Sequence, residues 1–278
     1  MTMDPFVSVP LSELVDSEIP GSVPRGRRGR PLIRQVDGTC VPYQRISTAS
    51  GLPVTELVGL TKWRMYHAVL AVARDEGLAG MIAACQYGDP RLKDLIETAC
   101  ERSAAMTESR EYGSAMHAFT EPGARREHAP ARMRTDLEGY DAAMKRYGLT
   151  REDSEIFVVH DTWRVAGTFD GLYRDRDGRL ILGDLKTGAL HPLSCLAQLA
   201  MYHGGRRYDP ATGVRTPIHP KLDEAEVIVI HSPKGTGVTE VYRGDTNRAY
   251  AIARNLIDRA THLAAEKFLL QLDIPVGT

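Results

Sequence analysis

The chain has 278 residues and a formal net charge of −1 at neutral pH, with 42% hydrophobic and 26% charged residues. This length can bury a real core, as one large domain or two small ones. The balanced charge excludes a general polyanion binder, so any DNA contact must come from a local basic patch with salt-sensitive affinity. No apolar run is long enough to cross a membrane and the N-terminus lacks a signal-peptide layout, so we expect a cytoplasmic protein with no membrane partner.

Residues 1 to about 45 contain many prolines and predict an irregular basic arm. The R-G-R-P core of its basic cluster is similar to an AT-hook, a short arm that lies in the minor groove. The other interpretation is a solvated flexible arm that holds DNA without sequence preference. Both interpretations give the same candidate DNA-binding residues, Arg25, Arg27, Arg28 and Arg30.

Helical periodicity predicts an N-terminal helical region over residues 46–107, with helices at 54–76 and 89–108. Further helices are predicted at 129–147 and 246–272. Aromatic side chains in and between these helices are either core residues or platforms on which nucleic-acid bases stack. The candidates for stacking are Trp63, Tyr66, Tyr112 and Tyr140.

Runs rich in β-branched residues predict strands, which fall at 155–161, 163–173, 179–186, 225–231 and 236–242. The second and third of these runs are joined by D-R-D-G, and Asp-Gly is a strong signal for a tight turn. We therefore expect Asp170 and Asp184 on neighbouring antiparallel strands of one hairpin.

The triplet Asp184-Leu185-Lys186 alternates between the two faces of its strand. Asp184 and Lys186 then share a face, while Leu185 points into the core and offers its backbone carbonyl to a metal shell. Carboxylates and carbonyls suit Mg²⁺ or Mn²⁺, which polarise a phosphate oxygen and lower the pKa of a bound water. Lys186 would orient that water, help to deprotonate it or stabilise the phosphorane charge.

The pattern therefore predicts metal-dependent phosphodiester cleavage. A surface hairpin with a chance Asp and Lys is the alternative, because D-x-K alone is a weak signal. The acid in a G-x-x-D run, the turn and the following Gln and Tyr at helical spacing favour the nuclease.

Four motifs in this order resemble the RecB-like branch of the PD-(D/E)XK nuclease superfamily. That branch includes nuclease domains of bacterial recombination helicases, CRISPR-associated exonucleases and many phage exonucleases. The motifs G-x-x-x-H, G-x-x-D, D-x-K-T and Q-x-x-x-Y fall at residues 113–117, 167–170, 184–187 and 198–202. The resemblance implies a restriction-endonuclease-like α/β fold, with a mixed central sheet flanked by helices and a nuclease core over 108–278.

The resemblance also implies a role for each matching residue. Metal ligation falls to His117, Asp170 and Asp184, catalysis to Lys186, and the lining of the site to Gln198 and Tyr202. Glu155 occupies the acidic position often found on the strand before G-x-x-D and is a further candidate ligand. Taken alone, His117 is a structural histidine or a ligand, and a histidine ligand would favour Mn²⁺ tolerance over strict Mg²⁺ use.

Gln198 and Tyr202, four residues apart, share one helix face. That face either packs on the sheet through neighbouring apolar residues or reaches a phosphate or base, and the two interpretations are compatible.

The four cysteines have no C-x-x-C and no metal-finger spacing. Some CRISPR-associated relatives of the resembled branch hold an iron–sulfur cluster, with one cysteine before the nuclease core and three after it. No cysteine follows Cys195 here. We therefore expect reduced thiols and no iron–sulfur cluster.

The leading hypothesis is a phage-encoded, metal-dependent DNA exonuclease that acts on single strands or ends in the host cytoplasm. Replication, recombination or end processing is the expected setting, with a recombination or replication protein as a candidate partner. One alternative is a structure-selective or nicking endonuclease. Another is a DNA- or protein-binding module on a dead nuclease fold, against which the intact set of Asp170, Asp184 and Lys186 argues.

Overall fold

The computed structural model describes residues 22–51, 54–220 and 222–265. Across these residues a mixed β-sheet packs against helices, which confirms the predicted α/β class. The first half of the predicted arm and the end of the predicted last helix lie outside the described residues.

The helices of the described chain are α1 (Ile46–Ala49), α2 (Val54–Arg74), α3 (Glu76–Ala83), α4 (Arg91–Glu101), α5 (Ala104–Thr120), α6 (Arg134–Tyr147), α7 (Pro192–His203) and α8 (Thr246–Ala265). The strands are β1 (Leu32–Arg34), β2 (Cys40–Pro42), β3 (Gln44–Arg45), β4 (Thr150–His160), β5 (Val165–Arg174), β6 (Leu180–Lys186), β7 (Arg206–Tyr208), β8 (Arg215–Thr216), β9 (Leu222–His231) and β10 (Glu240–Asp245). Among the described helices, none combines the length and apolar character needed to cross a bilayer.

The main sheet has the strand order β10-β9-β6-β5-β4-β7-β8, and β3 adds to β5 off this path. The β6–β9 and β3–β5 pairs are parallel, while the other pairs of this sheet are antiparallel. Strands β1 and β2 form a separate antiparallel hairpin. Because β5 and β6 are central, the predicted catalytic hairpin lies in the middle of the sheet.

The turn between β5 and β6 has the predicted tight geometry. The Asp175 N–H donates to Arg179 O over 3.0 Å, and Asp175 Oδ1 accepts the N–H groups of Asp177 and Arg179. Gly178 adopts a φ of 80°, which glycine reaches without a steric penalty. The turn fixes the register in which Gly171 lies opposite Gly183.

The sheet opens beside the central part of β5. Strand β4 pairs with β5 along nearly its whole length, while the opposite edge of β5 is shared by two strands. There β3 pairs with Val165 and Ala166, and β6 pairs with residues 171–174. In the described chain no strand pairs with that edge over residues 167–170. The G-x-x-D motif therefore lies at a gap in the ladder.

Two hydrophobic cores cover the faces of the sheet. One packs α7 and α8 against Phe169 and Leu182, and the other packs α5 and α6 against Ile181 and Leu185. Leu185 is 1% exposed, which confirms its predicted core position. Burial of this side chain stabilises the fold by about 2 kcal/mol. The alternation of β6 thus leaves Asp184 and Lys186 on the α7 side.

The structure decides between the core and the stacking interpretation for two of the four aromatic candidates. Tyr112 and Tyr140 are each 2% exposed and belong to the core between α5, α6 and the sheet. Trp63 and Tyr66 on α2 are 38% and 63% exposed and remain candidates.

The second half of the predicted irregular arm is ordered into β1, β2 and β3. Its R-G-R-P segment closes on itself, because the Gly26 N–H donates to Arg30 O over 2.8 Å around a 3₁₀ turn at Arg27–Gly29. Strands of two or three residues are too short to carry a period-two signal, and β3 pairs with a partner 121 residues away at Gln44 and Val165. Sequence periodicity could not detect them, nor the short β7 and β8.

Candidate active site

Asp170 and Asp184 lie where β5 and β6 separate. The last paired residues before them are Gly171 and Gly183, so the two acids face each other at the opening of the hairpin. The Leu185 N–H donates to Asp170 Oδ2 over 2.7 Å, which ties the two strands together without a ladder bond. The predicted hairpin placement of the two acids is confirmed.

Two glycines, Gly183 and the motif residue Gly113, allow close packing around this opening. A Cβ at Gly183 would lie 2.6 Å from the Tyr173 ring, and a Cβ at Gly113 would lie 3.2 Å from Thr187 Oγ1. Gly113 therefore lets α5 pack close to the end of β6. Because His117 lies on α5, it is placed at the same opening.

His117, Glu155 and Asp170 form the tightest group of candidate ligands. One ligand atom from each lies within 4.8 Å of the others, and His117 Nδ1 is 3.3 Å from Asp170 Oδ1. Glu155 lies on β4, opposite Asp170 in the register, with a φ of 53°. A non-glycine residue in this left-handed region costs about 1–3 kcal/mol, and such strain clusters at functional sites.

The charges of this group influence one another. Burial lowers the pKa of His117, but its hydrogen bond with Asp170 and that residue's charge outweigh burial and raise it above the usual value. Burial raises the pKa of Glu155, and the charge of Asp170 adds to this effect. Burial likewise raises the pKa of Asp184 to about 6, against the lowering effect of Lys186. Burial also acts on Asp170, but His117 and Lys186 hold the pKa of that carboxyl below its usual value, so the three acids of the site differ in how readily they ionise.

A second chain of contacts runs from Asp184 to α7. Lys186 Nζ lies 2.6 Å from Asp184 Oδ2 and donates to Gln198 Oε1 over 3.0 Å. Gln198 Nε2 in turn donates to the Tyr202 hydroxyl over 3.0 Å. The ammonium of Lys186 is therefore held between a carboxylate and an amide, which fixes its direction. Gln198 and Tyr202 share the helix face that meets β6, as predicted.

A cleft of about 630 Å³ opens over α5. Both His117 and Glu155 line it, together with Arg110 and Ser114. Asp184 is 1% exposed while Glu155 is exposed, so the group of acids reaches solvent on the α5 side.

The donor set fits a divalent cation of the Mg²⁺ or Mn²⁺ type. Carboxylate oxygens from Glu155 and Asp170 and one imidazole nitrogen from His117 converge, and a cation there would relieve the repulsion between the acids. Asp184 lies outside this tight group and its Oδ2 forms the ion pair with Lys186. The contact that the structure shows from Leu185 to the site is its N–H, not the carbonyl named in the prediction.

The predicted DNA-binding arginines whose side chains the structure describes, Arg25, Arg27 and Arg30, do not line one cavity together. Arg25 lines a cavity beside Tyr202, whereas Arg27 and Arg30 are absent from that lining. The side chain of Arg28 lies outside the described residues.

Sequence reasoning missed Arg151, which approaches the site from β4. Its Nη2 donates to Asp170 O and its Nη1 donates to Thr120 Oγ1. Arg151 occupies a polar T-R-E-D run that is typical of a solvent-exposed strand end, so no sequence signal marked it.

No protein-family model matches this chain, and no curated protein matches it. The likeness to a nuclease family therefore rests on the four motifs and on the geometry that brings three of them to one opening in the sheet.

Proposed function

We propose that this chain is a metal-dependent deoxyribonuclease with a restriction-endonuclease-like core. The resemblance of its four motifs favours an exonuclease over an endonuclease. One observation carries the proposal. The three-ligand group of His117, Glu155 and Asp170 adjoins the Asp184–Lys186 pair at the point where β5 and β6 separate. In metal-dependent phosphodiester hydrolysis, such a ligand group can hold the cation that polarises the phosphate, and a neighbouring ammonium can stabilise the developing charge.

A bound Mg²⁺ or Mn²⁺ would supply Lewis-acid polarisation of a phosphate oxygen and acidify a water. The residues that would hold it are His117, Glu155 and Asp170, with Asp184 as the neighbouring acid on β6. Asp170 is itself oriented by the Leu185 N–H and by His117, so its carboxylate is preorganised.

Lys186 acts as a cationic donor in this proposal. Its amine donates to Gln198 Oε1 and pairs with Asp184, and both contacts favour the charged form. The sequence left three roles open for Lys186. An ammonium can orient the water and stabilise the developing phosphorane charge, but it cannot abstract a proton. Gln198 and Tyr202 hold this ammonium in position.

The deciding assay incubates purified protein with 5′- or 3′-labelled single- and double-stranded DNA and Mg²⁺, Mn²⁺ or EDTA. Metal-dependent mononucleotide or short-oligonucleotide release supports the proposal. A covalently closed single-stranded circle is included, because only an endonuclease cuts it. Absence of cleavage with every substrate and metal, in folded protein, would contradict the proposed activity.

A further inference from the structure

A small cavity lies beside Tyr202, on the open edge of β5. Its volume is about 240 Å³. The residues that line it are Arg25, Arg45, Ile46, Ser47, Ala166, Gly167, Thr168 and Tyr202. Two arginines and three hydroxyl-bearing residues thus line one space, and the lining contains no carboxylate.

The two arginines are positioned by the backbone. Arg45 is the last residue of β3, which pairs in parallel with β5 so that Arg45 lies next to Ala166. Arg25 is fixed at the base of the closed turn by its bridge to Pro31. The segment that the sequence predicted to be an irregular arm therefore positions the Arg25 guanidinium at this cavity.

These guanidinium groups are not neutralised by the protein. Across the described residues, no carboxylate forms an ion pair with Arg25 or Arg45. Burial lowers the pKa of Arg25, and the positive charge of Arg45 lowers it further. Two like charges held together cost free energy that an anion between them would recover. Guanidinium forks with nearby hydroxyl donors match phosphate oxygens.

The cavity lies next to the residues of the proposed catalytic site along β5 and α7. Thr168 precedes Asp170 by two residues on β5, which is about 7 Å along a strand. Tyr202 lines the cavity and also closes the Lys186–Gln198 chain. A Cβ at Gly167 would lie 3.3 Å from both Tyr202 Cε1 and Ile46 Cβ, so this motif glycine lets the cavity wall form.

We propose that Arg25, Arg45, Ser47 and Thr168 form a phosphate subsite for the DNA strand whose neighbouring phosphodiester lies at Asp170 and Asp184. This inference rests on the proposed nuclease function, and it assigns the subsite a ligand class, a nucleic-acid phosphate. The subsite holds the strand in register so that the scissile phosphate reaches the acids.

The test measures binding of a fluorescent single-stranded oligonucleotide in EDTA, which keeps it independent of cleavage. The variants are R25Q, R45Q and the double variant, and R27Q is the control because Arg27 lies on the same turn, is exposed and does not line the cavity. We expect the double variant to bind about tenfold more weakly and the salt slope to fall by about 0.7. R27Q should change binding much less.

A second set of oligonucleotides carries one uncharged methylphosphonate at successive positions. One position should weaken binding to the wild type and have no further effect on the double variant. Comparison of oligonucleotides with 5′-phosphate and 5′-hydroxyl ends shows whether the bound phosphate is terminal or internal. Circular dichroism checks the fold of each variant, and the R45K variant shows whether retention of the charge retains binding. Equal losses in R27Q and the double variant, or no position-specific effect, would overturn the subsite. Absence of cleavage alone would overturn the proposed nuclease activity but not the phosphate subsite.

Discussion

Arg151 donates a hydrogen bond from Nη2 to the backbone carbonyl of Asp170. The same guanidinium donates from Nη1 to Thr120 Oγ1 over 3.1 Å, and that hydroxyl donates to the carbonyl oxygens of Met116 and His117. Arg151 therefore joins the strand that carries one candidate ligand to the helix that carries another. A Cβ at Gly171 would lie 2.7 Å from Arg151 Nε, so glycine at that position makes room for the bridge.

Replacement of Arg151 by alanine should loosen the ligand group without removing a ligand. We expect about a tenfold loss of Mn²⁺ affinity, the usual effect of losing a residue that orients metal ligands. Isothermal titration with Mn²⁺ measures this. Arg174→Ala is the control, because Arg174 pairs with Glu152 at the far end of β5. Unchanged affinity in folded Arg151→Ala would contradict the positioning role.

Asp184→Ala and Lys186→Ala should each abolish cleavage, by about a thousandfold or more, while the fold remains intact. Asp184→Ala removes an acid of the proposed metal site, and Lys186→Ala removes the ammonium that stabilises charge at the reacting phosphate. Rates on labelled DNA and circular dichroism of the same preparations measure the two outcomes. Lys145→Ala, an exposed lysine on α6, serves as the control for charge. Near-wild-type turnover in either variant would remove these residues from the mechanism.

His117→Ala should weaken Mn²⁺ affinity more than it weakens DNA binding. Imidazole nitrogen suits Mn²⁺ better than Mg²⁺, which keeps to oxygen ligands and water. Mn²⁺ should therefore support wild-type activity at least as well as Mg²⁺, and Ca²⁺ should bind without turnover. Metal titrations at limiting Mn²⁺ provide the measurement. Full activity of the variant under that condition would make His117 a structural residue.

Asp136 should contribute stability that depends on pH. This carboxylate is 1% exposed and accepts hydrogen bonds from the Tyr112 hydroxyl and from the N–H groups of Gly235 and Gly237. Burial acts to raise its pKa, but these bonds outweigh burial and hold the pKa below the usual 3.8. The stabilisation is therefore complete above the unfolded pKa and is lost as pH falls through the folded one.

Asp136→Asn should lower the free energy of unfolding by about 2 kcal/mol at neutral pH, because two N–H donors compete for one remaining acceptor. The difference from the wild type should shrink below about pH 4, where the carboxyl of the unfolded chain begins to protonate, and should vanish below the lower pKa of the folded chain. Urea titrations across the pH range measure it. Asp141→Asn on the same helix is the control, since Asp141 is 55% exposed. A difference that stays constant down to pH 2 would contradict the linkage.

Local patterns in the sequence predicted most of the β5–β6 hairpin. Runs rich in β-branched residues placed β5 and β6, the Asp-Gly pair marked their turn, and period two put Asp184 and Lys186 on one face with Leu185 in the core. The i, i+4 spacing likewise placed Gln198 and Tyr202 on one face of α7. These features depend on neighbouring residues, so a single sequence determines them.

Contacts between distant segments were decided only by the tertiary structure. The pairing of β3 with β5, the approach of Arg45 and Arg25 to Tyr202, and the bridge from Arg151 to Asp170 each join residues with no shared periodicity. The burial of Tyr112 and Tyr140, which the sequence left open, follows from how α5 and α6 pack on the sheet. Periodicity reports which face of an element is apolar, whereas the partner of that face is set by three-dimensional packing.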